Sequence, residues 1–338
     1  MIDEKEPNAK PKKPKNVIAC LTEGFDIVAR RPQLAFLPFL LDLYLWLGPR
    51  LSLEPLLREL QQLLRASLTS GNAETTTQLL HQILEEAADV YNLFSLLEPF
   101  PLLGLPTFMG QRLTVTRPLG PRSVIPVESI TTALGWVCVI VIVELGLSAF
   151  YLWRIGVASN ETTEESSPPP PSTPAHIWGS LLKLTLWLLA ALLMLSIPGM
   201  LIVMLTSFIS IGFSGFVLIL FFSGGLFTLL HTLYTVPGIV QFSKPPLQAL
   251  QESIILTQTD FPGTLSLLLV ILVMSQGLNF VWALPEPESW ITLVGIGGHA
   301  VVSTALMTTL FIFYRERLRY LKALQKLYAV RTAHSSEA

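Results

Sequence analysis

The chain reads as an all-α polytopic transmembrane bundle of about six spans, with amphipathic helices at the membrane surface and an extramembrane helical hairpin. Three observations predict this. Long apolar runs recur along the chain, such as Ile197 to Phe222 and Ser289 to Tyr314, and they exceed the roughly 20 residues a helix needs to cross hydrocarbon. Only 14% of the 338 residues are charged, against about 25% in soluble domains. Mean hydropathy is +0.56, so the chain cannot hide its apolar surface in water as one globule.

The elements follow in order. Residues 1–15 mix lysines with Pro7, Pro11 and Pro14, and read as a disordered basic tail. No apolar run follows that tail closely enough for a cleavable signal. From 16 to 31, Val17, Ile18, Leu21, Phe25 and Val28 recur at helical spacing opposite Glu23 and Asp26, which predicts an interfacial amphipathic helix. Pro32 ends it. The first span then runs from Pro32 to Leu47, so that residues 16–48 form one interfacial-helix-and-span unit.

Residues 49–126 form an extramembrane or interfacial segment. Two Leu-rich amphipathic helices, Leu51 to Leu68 and Thr75 to Leu97, meet at Ser70-Gly71-Asn72 and form a hairpin. Leu96 to Met109 is apolar but broken by Pro99, Pro101, Gly104 and Pro106. It suits a re-entrant loop, provided protein covers its backbone.

The second span covers 127–157, with Glu144 inside it. A Ser/Pro-rich linker covers 158–175. Residues 176–314 hold spans three to six: His176 to Leu205, Ser210 to Tyr234, Pro262 to Leu284 and Ser289 to Tyr314. An amphipathic helix, Pro245 to Thr259, precedes the fifth, with Ser243 as its expected N-cap. Residues 315–338 form a cytoplasmic C-terminal helix and tail.

Basic residues set the expected orientation. Lys5 to Arg31 and Arg315 to Arg331 are both rich in lysine and arginine, which places both termini in the cytoplasm. Six spans agree with that. Against it, the 50–126 segment carries Arg50, Arg58, Arg65, Arg112, Arg117 and Arg122 on the opposite side. Long loops obey the rule weakly.

There is also a hint of repetition. Ala19 to Pro32 and Ala249 to Pro262 have the same length and the same order of surface helix, proline and span. Chance could produce so simple a pattern. A true repeat would give two related halves, as in many transporters.

Charges inside spans mark the candidate sites, because each costs about 2.5–3.5 kcal/mol at mid-membrane. Glu144 either faces the interior as a proton or cation site or is hydrogen-bonded for packing alone. Asp42 lies near Tyr44 and Trp46, which favour the interface. His231 and His299 sit in apolar helices, and one of them could pair with a carboxylate as a relay. These four residues form the candidate intramembrane polar set.

No HExxH, GxSxG, Walker or paired DxxD motif is present. No catalytic residue, cofactor or metal is expected, and Cys20 and Cys138 form no disulfide framework. A net charge of −2 supplies no basic field for nucleic acid. The expected partners are the lipid bilayer and, at the basic termini, anionic lipid.

The run PPLQALQESIILTQTDFPGTLSLLLVILV resembles uncharacterised bacterial integral membrane proteins. These include the membrane domain that accompanies some glycerophosphodiester phosphodiesterases. EGFDIVARRPQLAFLPFLLDLYLWLGPR is similar to other uncharacterised multi-span proteins. The resemblance implies a bacterial cytoplasmic-membrane location and no activity, since the chain has no phosphodiesterase catalytic domain. The leading expectation is a non-catalytic scaffold or accessory protein. The alternative is a transporter-like protein moving a small or lipid-like solute, with Glu144 as its intramembrane site. A third, a membrane-embedded lipid enzyme, would need Asp42, Arg112 and Glu144 around a lipid-sized cavity.

Overall fold

A computed structural model describes residues 13–67, 92–97, 104–110, 117–161 and 172–336. Its regular structure is helical apart from one short strand pair. Helix α1 spans Val17–Arg30, and Asn16 Oδ1 accepts from the Ala19 N–H at 2.8 Å, satisfying a donor that the first turn leaves free. A 3₁₀ turn at Pro32–Leu34 leads into α2, Phe36–Leu47. Helix α3 covers Glu54–Ser67. Then come α4, Ile130–Asn160, α5, Pro174–Ser207, and α6, Ile211–Thr232. Helix α7 is Thr235–Phe242, α8 Pro246–Thr259, α9 Phe261–Trp282 and α10 Thr292–Ser336.

Among the described residues, five helical stretches are long and apolar enough to cross a membrane: α4, α5, α6 with α7, α9, and α10. The expected first span is not among them. Helix α2 has 12 residues, about 18 Å at 1.5 Å per residue, against about 30 Å of hydrocarbon. Pro32 delays its start and Gly48-Pro49 stops it.

Other boundaries also move. Helix α4 begins three residues later than the expected second span and runs to Asn160, into the expected linker. Thr173 caps α5 by accepting from the His176 N–H at 3.3 Å. Ser243 is not an N-cap. It closes α7 in the left-handed conformation at φ 51°, and Pro245 opens α8. Helix α10 runs past Tyr314 without a break.

Two three-residue strands were not expected. β1, Arg50–Ser52, pairs in parallel with β2, Val124–Pro126. Of the expected hairpin, α3 lies among the described residues and 68–91 lies outside them. Residues 162–171 of the linker and 98–103 of the proline-broken stretch are likewise outside.

The chain divides into two compact units. The first comprises Met1–Arg30, Trp153–Leu272 and Ala305–Ala338. Here α1 lies so close to α10 that a Cβ on Gly24 would fall on Thr309 Oγ1 and lie 2.8 Å from the Ala305 carbonyl. Ser253 of α8 donates to the His231 carbonyl at 2.6 Å and accepts from the Tyr234 N–H at 3.0 Å, pinning α8 to the α6–α7 turn. Tyr234 in turn donates to Thr264 Oγ1 at 2.9 Å.

The second unit comprises Arg31–Leu152 and Val273–Thr304. Trp46, fully buried, donates to the Pro287 carbonyl at 3.0 Å and meets Trp290 edge-on. Two arginines finish α2. Arg122 donates to the Trp46 carbonyl at 2.7 Å and Arg117 to that of Leu47. They supply donors and positive charge where a helix end presents free carbonyls.

Candidate functional site

The polar residues of the second unit converge on an irregular segment, 104–110. All of it is buried except half-buried Pro106. Its peptide groups cannot bond within a helix, so they need partners from elsewhere. Asp42, in the middle of α2 and 0% exposed, supplies two: its Oδ1 accepts from the Phe108 and Met109 N–H groups, each at 2.8 Å. Ser148 of α4 accepts from the Leu105 N–H at 3.0 Å and donates to Glu144 Oε1. Glu144 and Ser148 are one turn apart on the same face of α4, which is why the carboxylate can reach the hydroxyl.

His299 of α10 closes the other side. Its ring lies 5.6 Å from that of Phe108, and its Nδ1 is 3.6 Å from Asp42 Oδ2. That separation is too long for a hydrogen bond. Asp42 Oδ2 and His299 Nδ1 are both buried without a hydrogen-bond partner. Nearby in the same unit, Tyr151 of α4 donates to Thr304 Oγ1 of α10 at 3.1 Å.

Of the four sequence-derived candidates, the structure therefore brings Asp42 and His299 together. The Glu144 carboxylate accepts from Ser148 one turn along its own helix. His231 belongs to the first unit, where its Nδ1 meets the Phe227 carbonyl at 2.8 Å and its ring packs on Phe227 at 4.0 Å. Asp42 is enclosed by protein, as is Trp46 one turn on, while Tyr44 is exposed. Sequence reasoning missed Ser148, Thr304 and the three amides of 105, 108 and 109. The Glu-x-x-x-Ser spacing was the one visible signal.

An apolar cleft of about 320 Å³ lies beside α2 and α4, lined by residues such as Leu40, Tyr44, Phe94, Trp136 and Val143. Among the described residues no acidic or basic one lines it, and Arg112 lies outside them. Among the described residues no group of three or more His, Cys, Asp or Glu could hold a metal ion.

Charges outside the spans are tuned by burial and by neighbours. Burial, with Arg117 and Arg50 nearby, holds Arg122 below the usual arginine range. The Glu23 hydrogen bond raises Lys15, while burial lowers Lys244 despite Glu252 beside it. The expected basic cluster at 315–331 is partly turned inward. Arg315 and Arg317 are 3% and 8% exposed, with Arg315 facing Glu23 at 3.5 Å and Arg317 bonded to Asp260 at 2.6 Å.

No family model, no curated protein and no solved structure matches the chain. What the fold defines is a class, a helical protein with five long apolar helices compatible with a membrane.

Proposed function

We propose that this is a non-catalytic, multi-pass protein of the bacterial cytoplasmic membrane, acting as scaffold or accessory subunit. One observation supports the reading above the others: acidic residues inside the apolar bundle are spent on structure. Asp42 and the Glu144–Ser148 pair hold the peptide groups of the 104–110 segment. Irregular backbone at membrane depth is tolerated where protein covers and bonds it. In this reading α2 and the 104–110 segment complete a sixth crossing, and both termini are cytoplasmic.

The test compares Asp42→Asn, which keeps an acceptor, with Asp42→Ala, which removes it. The alanine variant is expected to lower the unfolding midpoint in detergent and to speed amide exchange at 104–110. Stranding buried donors costs about 1–3 kcal/mol. The asparagine variant is expected to stay close to wild type. Equal behaviour of alanine and wild type would remove the structural reading. Cysteines placed at residues 3 and 334, labelled from one side of sealed vesicles, test the topology.

A second reading is a transporter-like protein moving a small or lipid-like solute. What supports it is the buried pair Asp42 Oδ2 and His299 Nδ1, 3.6 Å apart and each without a hydrogen-bond partner. Intramembrane ionisable groups are functional candidates by default. Glu144, the site expected from sequence, is the weaker choice because Ser148 engages it. In proteoliposomes, Asp42→Asn is expected to abolish proton-coupled flux with the fold intact, and Glu144→Gln to reduce it less. Normal flux in Asp42→Asn ends this reading.

A further inference from the structure

We propose that Lys15–Leu40 and Lys244–Leu269 are two copies of one unit, and that each clasps the middle of α10 through its own lysine–glutamate pair. This goes beyond the scaffold reading and does not depend on it. The sequence hint aligned the two stretches on their prolines, at an offset of 230. The geometry fixes the offset at 229.

Helices α1 and α8 each have 14 residues, and both ends differ by 229: 246 − 17 and 259 − 30. The buried residues of α1 are Cys20, Gly24, Ile27 and Val28, and adding 229 gives Ala249, Ser253, Leu256 and Thr257, all buried in α8. From 18–33 and 247–262, every position falls in the same class of buried, half-buried or exposed as its counterpart. At 230 the match fails, since buried Gly24 would meet half-buried Ile254 and buried Val28 would meet exposed Gln258.

Helical periodicity alone makes any two amphipathic helices resemble each other at some offset. Two non-periodic features remove that objection. The residue after each helix has nearly the same backbone, φ −135° and ψ 64° at Arg31 and φ −130° and ψ 59° at Asp260. This conformation is neither helical nor extended, and it turns each interfacial helix into the element that follows. The second feature is charge. Lys15 Nζ meets Glu23 Oε2 at 2.7 Å, and Lys244 Nζ meets Glu252 Oε2. Both pairs are eight residues apart, and 244 and 252 are 15 and 23 plus 229.

Each glutamate then reaches α10. Glu23 Oε1 lies 3.5 Å from Arg315 Nη2, and Glu252 Oε2 accepts from Tyr314 Oη at 3.0 Å. Arg317 engages both copies. It donates through Nε to Asp260 at the end of the second copy, and through Nη1 to the Lys15 carbonyl at the start of the first. Neighbouring residues of one helix thus carry two equivalent latches. Equivalent positions 24 and 253 are both buried but pack on different neighbours. Gly24 faces α10, where a side chain has no room, while Ser253 bonds the α6–α7 turn.

Two experiments test the parts separately. In the first, residues 17–31 are replaced by the sequence of 246–260, with glycine retained at position 24. A control graft uses 247–261. The offset-229 graft is expected to remain monodisperse in detergent with a cooperative unfolding transition, and the control to lose both. Misfolding of the offset-229 graft overturns the equivalence, whatever the control does.

The second experiment follows hydrogen exchange across 310–325 in nanodiscs for Glu23→Gln, Glu252→Gln and the double variant. Each single change is expected to accelerate exchange there by a similar factor, with the double variant faster than either. A single variant that exchanges as wild type overturns the clasp on that side, and with it the two-latch proposal. Salt is expected to accelerate wild type more than the double variant, because ion pairs that are partly exposed are screened.

Discussion

Helices α5 and α10 both exceed the length of a membrane crossing, yet 6% of the most apolar window of α5 is buried against 72% of that of α10. Hydropathy runs the other way: 2.6 for α5 and 1.6 for α10. In water the more apolar helix would be the inner one. Here α5 carries no charge beyond Lys183 and exposes Leu192, Leu193, Leu195 and Ile197. Helix α10 carries His299, Thr304, Thr308 and Thr309, all buried. Polar groups facing lipid are costly, so helices that have them are surrounded by protein. Within this chain, polarity and not oiliness marks the interior.

The sharpest way to break that comparison is to put a charge in α5. Leu193→Arg is expected to cost about 2.5–3.5 kcal/mol of insertion free energy, read as a fall in the inserted fraction in a glycosylation-mapping assay. Unchanged insertion would mean that α5 does not face lipid. Slightly smaller is the effect expected at Cys20, on the α1 face that packs inward. Its thiol is buried, and burial pushes it up to about 11 from 9.0. Thiolate is the reactive species. In a Cys138→Ser background, alkylation at pH 8 should be about a hundredfold slower than in SDS, from ionisation alone at 1.36 kcal/mol per unit. The sign is fixed: the folded rate rises about tenfold per pH unit towards 11. A folded rate equal to that in SDS would expose Cys20.

Gly24→Val drives a side chain into α10 at Thr309 and Ala305. A loss of about 1–3 kcal/mol is expected, as for other overpacked sites, measured as a lower unfolding midpoint. At the small end, Leu195→Ala on the exposed face of α5 should stay within about 0.5 kcal/mol of wild type. A larger loss at Leu195 than at Gly24 would invert the assignment of inside and outside.

Much of this was legible in the sequence, and the reasons are local. The long apolar runs and the periodicity of 16–31 are short-range signals. The strands β1 and β2 were not legible, because three residues are too few for alternation and their pairing joins Arg50 to Val124. Asp42 and His299 each stood out as polar residues in apolar surroundings. Nothing local tells that residues 42 and 299 meet. The repeat was visible but misaligned by one, because Pro32 directly follows its turning residue while Pro262 stands two after Asp260. Few side chains agree between the copies; the surviving likeness is in burial, in the backbone turn and in one ion pair.

The contact between Arg317 and the Lys15 carbonyl joins residues 302 apart, and that between Arg315 and Glu23 joins residues 292 apart. At about 5–20 residues per second, a ribosome needs roughly 15–60 s to supply the second partner after the first. Helix α1 must therefore wait for α10. A nascent chain halted before residue 315 would leave the narrow glycine face of α1 unclaimed, open to chaperones or proteases until translation resumes.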